Sequence, residues 1–97
     1  MTKYANGANL ERQIKQELEA KGWYVIRSAG SKGIADLVSI GQGRILIIQV
    51  KKNSLSERSK LKLISGLLKR LPNNYYYLEP KVLSGGLKAI KEEIRGW

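Results

Sequence analysis

Gly33-Ile34-Ala35-Asp36-Leu37-Val38-Ser39-Ile40-Gly41-Gln42-Gly43-Arg44-Ile45-Leu46-Ile47-Ile48-Gln49-Val50-Lys51 decides the reading of this chain. Two branched, apolar runs flank a short glycine-rich break, the pattern of two strands joined as a hairpin. The second run is apolar on both faces from Ile45 to Ile48, which predicts a central strand covered on both sides. Asp36, the only aspartate of the chain, stands inside the first run. A carboxylate among branched aliphatics is costly unless something compensates it. Alternation puts Gln49 and Lys51 on one face, about 6.6 Å apart along the strand. Asp36 falls on the parity of Ile34 and Val38, and cross-strand neighbours approach to roughly 5 Å. One carboxylate, one amide oxygen and one ammonium can therefore meet at one end of a sheet.

Outward from this stretch, Leu10, Ile14 and Leu18 recur at helical spacing. Asn9 is the expected cap, Glu17 with Lys21 the expected supporting pair, and Gly22 the stop. Residues 1–7 read as a flexible lead. Trp23-Tyr24-Val25-Ile26 is a strand, followed by the small, basic loop Arg27 to Gly33. After the hairpin, Ser54 and Glu57 resemble a capping box opening a helix with a stripe of Leu61, Ile64, Leu67, Leu68 and Leu71. Pro72-Asn73-Asn74 ends it. Tyr75-Tyr76-Tyr77-Leu78 is a further strand stopped by Pro80, and Leu87, Ile90 and Ile94 face inward from a last helix ending near Trp97. The order is α-β-β-β-α-β-α: one α/β domain over residues 1–97, a mixed sheet flanked by helices.

Composition narrows the chemistry. The 97 residues contain neither cysteine nor histidine, which removes disulfides, thiolate or imidazole metal sites, cysteine nucleophiles and histidine bases. Any metal is held by oxygen, which suits magnesium or manganese. Eighteen Lys and Arg against eight acids give a net charge of +10, and a polyanion, nucleic acid ahead of membrane, is the expected partner. No apolar run approaches the roughly 20 residues of a membrane span, and no hydrophobic leader follows Met1, so a cytoplasmic location is expected.

Within that frame Asp36 offers a hard anionic oxygen, Gln49 a neutral one, and Glu11, beside inward-facing Leu10 and Ile14, a second charge. Magnesium keeps several waters and needs few protein ligands. Lys51 can orient a water or neutralise charge on a phosphorane. The alternative for Asp36 is a structural ion pair with Arg27 or Arg44. Tyr75 to Tyr77 are read as sheet or subunit contacts rather than base-stacking platforms.

Glu11-Arg12, Arg27-Ser28-Ala29-Gly30-Ser31, Ala35-Asp36-Leu37-Val38 and Gln49-Val50-Lys51, in this order and spacing, resemble the archaeal-type Holliday-junction resolvases of the PD-(D/E)XK nuclease superfamily. The resemblance spans about the first half of the chain. It implies a restriction-endonuclease-like core with catalytic positions at Glu11, Asp36, Gln49 and Lys51, and Mg2+ ligands at Glu11, Asp36 and Gln49, with Mn2+ substituting. It places Ser31 in a mobile loop near the scissile phosphate. DNA contacts fall to Arg12, Arg27, Ser28, Ser31, Lys32 and Lys52. It further implies cleavage of branched, four-way junction DNA by a homodimer, with the apolar stripes of the second-half helix and strand at the interface. Two substitutions depart from the pattern: Ala35 replaces the usual proline, and Gln49 the usual acid, which removes one negative charge from the metal site. The chain is also shorter than typical resolvases. A nuclease acting on other DNA structures or specific sites, or a non-cleaving DNA-binding protein, are the rival readings.

Overall fold

A computed structural model describes residues 3–28, 35–71 and 77–97, with side chains of the first helix from Asn9 onward. The elements are α1 (Lys3–Ala20), β1 (Tyr24–Arg27), β2 (Leu37–Gly41), β3 (Arg44–Lys51), α2 (Glu57–Arg70), β4 (Leu78–Ser84) and α3 (Leu87–Arg95), in the expected order. The sheet order is β1-β2-β3-β4. The first three strands form an antiparallel meander, and β4 pairs parallel to β3 through the α2 crossover.

The apolar period of α1 does what periodicity predicts: Ile14 and Leu18 are fully buried. The helix starts at Lys3, however, so Asn9 lies inside it and accepts from Arg12 Nη1 rather than capping it. Its end is a Schellman turn. Gly22 takes φ +97°, the Trp23 amide donates to Leu18 O at 3.1 Å, and the Gly22 amide donates to Glu19 O at 3.0 Å. Lys21 does not pair with Glu17. Its ammonium donates to Ile94 O and Arg95 O at the C-terminus of α3, where the helix dipole favours a cation, and Glu17 pairs with Lys91 at 3.3 Å.

In the β2–β3 hairpin Gly41 pairs with Arg44, leaving Gln42 and Gly43 as a two-residue turn with φ of 53° and 71°. Positive φ at both central positions matches the right-handed twist of the strands. Leu46, Ile47 and Ile48 are all buried, as expected of a central strand. One face of the sheet (Val25, Leu37, Leu46, Ile48, Leu83) packs with Ile14, Leu18, Ile90 and Ile94 of α1 and α3. On the other face, α2 packs against β4, and Leu67 is its one buried residue.

Three local expectations are corrected. The cap of α2 is Ser56, whose Oγ accepts from the Ser59 amide at 3.2 Å. Ser54 lies in the extended connection, which is tied to β4 where the Leu55 amide donates to Ser84 Oγ at 3.4 Å. Second, β4 runs through Pro80, which an edge strand tolerates because half of its amides need no ladder partner. Tyr75 and Tyr76, expected in that strand, lie outside the described residues. Third, the α2 stripe is only half covered: Ile64 and Leu68 are partly buried, while Leu61 is 63% exposed.

Candidate active site

The ends of β1 and β3 and the start of β2 meet at one edge of the sheet, and α1 lies over that edge. Asp36 does not sit within β2 as alternation suggested; it immediately precedes it. Leu37 is the register partner of Ile48, yet the Asp36 amide also donates to Ile48 O, at 2.9 Å. Two residues thus face one, the arrangement of a β-bulge, which breaks alternation and re-aims a side chain. The Asp36 carbonyl meanwhile accepts from the Ser28 amide at 2.9 Å, which holds the end of β1 against it.

The bulge directs the carboxylate along β3. Asp36 Oδ2 accepts from the Val50 amide at 2.7 Å, a short, charge-assisted bond. β2 has no residue left to receive that amide, and the Asp36 side chain takes the place of the missing strand carbonyl. The two bonds to Ile48 and Val50 bracket Gln49, so Asp36 and Gln49 are cross-strand neighbours. Among the described residues the second carboxylate oxygen of Asp36 makes no hydrogen bond.

Glu11 reaches the same edge from α1. Its Oε1 accepts from Arg27 Nε at 3.1 Å, in a pair whose side chains are 20% and 23% exposed. The Glu11 carboxyl is held above its ordinary pKa, first by partial burial and next by the charge of Asp36; Arg27 and Arg12 pull it back. The structural alternative for Asp36 does not hold as framed: Arg27 pairs with Glu11, and Arg44 clamps Glu79 through two bonds of 2.8 and 2.9 Å. What the sequence did not reveal is that Asp36 is bonded to a backbone amide. Only a strand ending one residue before its partner's free amide signals that.

Gln49 is half-buried and shares its strand face with exposed Lys51, opposite the face of Val50, which packs against the α1 core. Arg12 and Lys52 are exposed, and Ser28 is half-buried beside Asp36. Ser31 and Lys32 lie outside the described residues. The structure therefore bonds Glu11 to Arg27 and Asp36 to the Val50 amide, brings the two carboxylates within electrostatic reach of each other, and places Gln49 and Lys51 at the end of β3. Among the described residues no group of three or more acids forms a metal cage. The donor set, two mutually repelling carboxylates and an amide oxygen, still fits a hard divalent cation, which would relieve that repulsion.

Residues 2–72 match the family model described as archaeal Holliday junction resolvase (Hjc). The chain belongs to this family. The crossover junction endodeoxyribonuclease Hjc of Methanocaldococcus jannaschii is 48% identical over 52 residues, a stretch covering 54% of this chain and 38% of that protein. The family match takes in α1, the hairpin and α2, and thus every residue of the candidate site. The final strand and helix lie beyond it.

Proposed function

We propose that this chain is a metal-dependent endodeoxyribonuclease that cuts branched DNA, four-way junctions in particular. The reading is carried by Glu11 and Asp36 lying within electrostatic reach of each other at the end of the sheet where β3 delivers Gln49 and Lys51, in a chain of the resolvase family. Asp36, Glu11 and Gln49 would hold Mg2+ or Mn2+, which when bound polarises a phosphate and activates water for attack. Asp36 is fixed by the Val50 amide, so its second oxygen is presented without further ordering. Lys51, exposed at the strand end, neutralises charge developing on the phosphate. Arg12, Arg27, Ser28 and Lys52 surround the edge as DNA-contacting groups; Ser31 and Lys32 join the set on the resemblance alone. Hydrolysis would leave a 3′-hydroxyl and a 5′-phosphate, as the resemblance implies.

Paired incision of a four-way junction needs two active sites, hence a homodimer. Besides the second-half stripes, where Leu61 is 63% exposed, the outer face of β1 and β2 offers a second apolar surface for that interface. Tyr24, Ile26 and Ile40 are 67%, 48% and 41% exposed, and with Val38 they form cross-strand pairs on the face that α2 leaves uncovered. An exposed apolar patch of this kind suits a second copy of the chain related by a twofold axis. No helix among the described residues is long and apolar enough to cross a membrane, and a cytoplasmic location accords with DNA processing.

Neutral Gln49 favours a second reading, a DNA-binding protein that kept the fold and lost cleavage. Titrating a labelled four-way junction and a linear duplex of equal sequence with Mg2+ and Mn2+ separates the two. Metal-dependent cutting of the junction, abolished by Asp36→Asn, supports the nuclease. Junction binding without any cutting supports the binder, and equal cutting of the linear duplex removes junction specificity.

A further inference from the structure

We propose that Arg27 is an exchangeable counter-ion that occupies Glu11 until a DNA phosphate takes it, so that metal loading depends on bound DNA. The inference rests on the reading of Glu11 and Asp36 as metal ligands. Arg27 ends β1, where its register partner is Leu37 and the next amide, Ser28, is bonded to Asp36. Its backbone is thus fixed at this end of the sheet, and its guanidinium lies beside Glu11. It donates to Glu11 through Nε alone. The four other N–H groups of that fork make no hydrogen bond among the described residues.

Arg44 shows the contrast within the same molecule. It grips Glu79 with two short bonds, a fixed clamp far from the site. A single bond to one carboxylate oxygen is the weaker arrangement, and a phosphate offers the planar fork two parallel bonds instead. When DNA arrives, Arg27 gains by turning to the phosphate. Glu11 is then left beside Asp36 without its cation, and two adjacent carboxylates attract a divalent ion more strongly than one carboxylate and an ion pair. By linkage, metal tightens DNA binding by the same factor as DNA tightens metal binding. Arg27 acts through Glu11 and is a positioning residue.

The test is Mn2+ affinity of the DNA-free protein, read by electron paramagnetic resonance of free Mn2+. Arg27→Gln is expected to tighten Mn2+ binding about tenfold, the lower end of what one charge-assisted hydrogen bond supplies. The enhancement of junction binding by Ca2+ over EDTA, measured by fluorescence anisotropy, should shrink toward one in that variant. Arg27→Lys retains a cation for Glu11 but meets phosphate as a point charge. It is expected to keep the wild-type Mn2+ affinity and lose most of the coupling, and it carries the test if Arg27→Gln does not fold. Unchanged or weaker Mn2+ binding in Arg27→Gln, with binding still abolished by Asp36→Asn, would overturn the counter-ion role while leaving the metal site standing. No Mn2+ binding to the wild-type chain or to Arg27→Gln, with or without junction DNA, would overturn both.

Discussion

Replacing Asp36 by asparagine and by alanine should separate what its carboxylate does for the fold from what it does for chemistry. In the structure Oδ2 accepts the Val50 amide at 2.7 Å in a partly buried setting. Alanine leaves that amide without an acceptor, and an unsatisfied, partly buried N–H costs about 1–2 kcal/mol. For a domain of this size 1 kcal/mol moves the melting temperature by roughly 4–8 °C, so Asp36→Ala should melt roughly 5–15 °C lower. Asparagine keeps a carbonyl oxygen at the same place. It loses the charge assistance but also the repulsion with Glu11, and the net change should stay below about 1 kcal/mol. Cleavage of a four-way junction should vanish in both variants. Urea denaturation and thermal melting give the stabilities, and a labelled junction with Mn2+ gives the activity. If alanine were as stable as wild type, the carboxylate would not be closing the ladder. If asparagine fell as far as alanine, an oxygen acceptor would not be what the position supplies.

Glu11→Gln should gain stability over wild type as pH rises. The folded-state pKa of Glu11 is raised above the ordinary 4.5, so the folded protein holds the proton longer, and wild-type stability falls as pH climbs through the raised value. Urea midpoints of the two proteins should coincide near pH 4 and separate by pH 7; the opposite order would refute the sign. Gln49→Glu restores a third carboxylate next to Asp36 and should tighten Mn2+ binding while preserving or strengthening cutting. Loss of cleavage with folding and DNA binding intact would remove Gln49 from the ligand set. Arg58, Lys62 and Lys69 lie along one exposed side of α2 and make no ion pair among the described residues. Replacing all three by glutamine should reduce the slope of log K against log salt for DNA binding by about 2–3, with the rate at saturating DNA within about twofold.

The element order was legible because each element carries its own local signal. The α1 stripe, the Gly22 stop and the doubly apolar β3 are all consequences of one-dimensional periodicity, and all are present. What the sequence hid depends on neighbours. Pro80 looks like a stop, and only the edge position of β4 makes it a permitted strand residue. Ser54 and Ser56 are equally good caps; the tie between Leu55 and Ser84 decides between them. Lys21 had a partner at helical spacing, but the end of α3, over seventy residues away, competes better. At the site, the grouping of Asp36 with Gln49 followed from hairpin register. The Glu11–Arg27 pair did not, because nothing in the spacing of two residues on different elements fixes which acid an arginine will meet.

The bulge explains how a site can be built from so few acids. A strand that ends beside an amide still needing an acceptor must supply one, and here a side chain does so in place of a backbone carbonyl. A backbone bond therefore fixes the position of Asp36, and its second oxygen makes no hydrogen bond among the described residues. Glu11 adds a second charge, which Arg27 offsets. Asp36, Glu11 and Arg27 together carry a formal charge of about −1, against about −2 if Gln49 were an acid. If the site holds a metal as proposed, the missing charge would come from elsewhere, and a phosphate drawn in by Arg27 would bring it to the same edge.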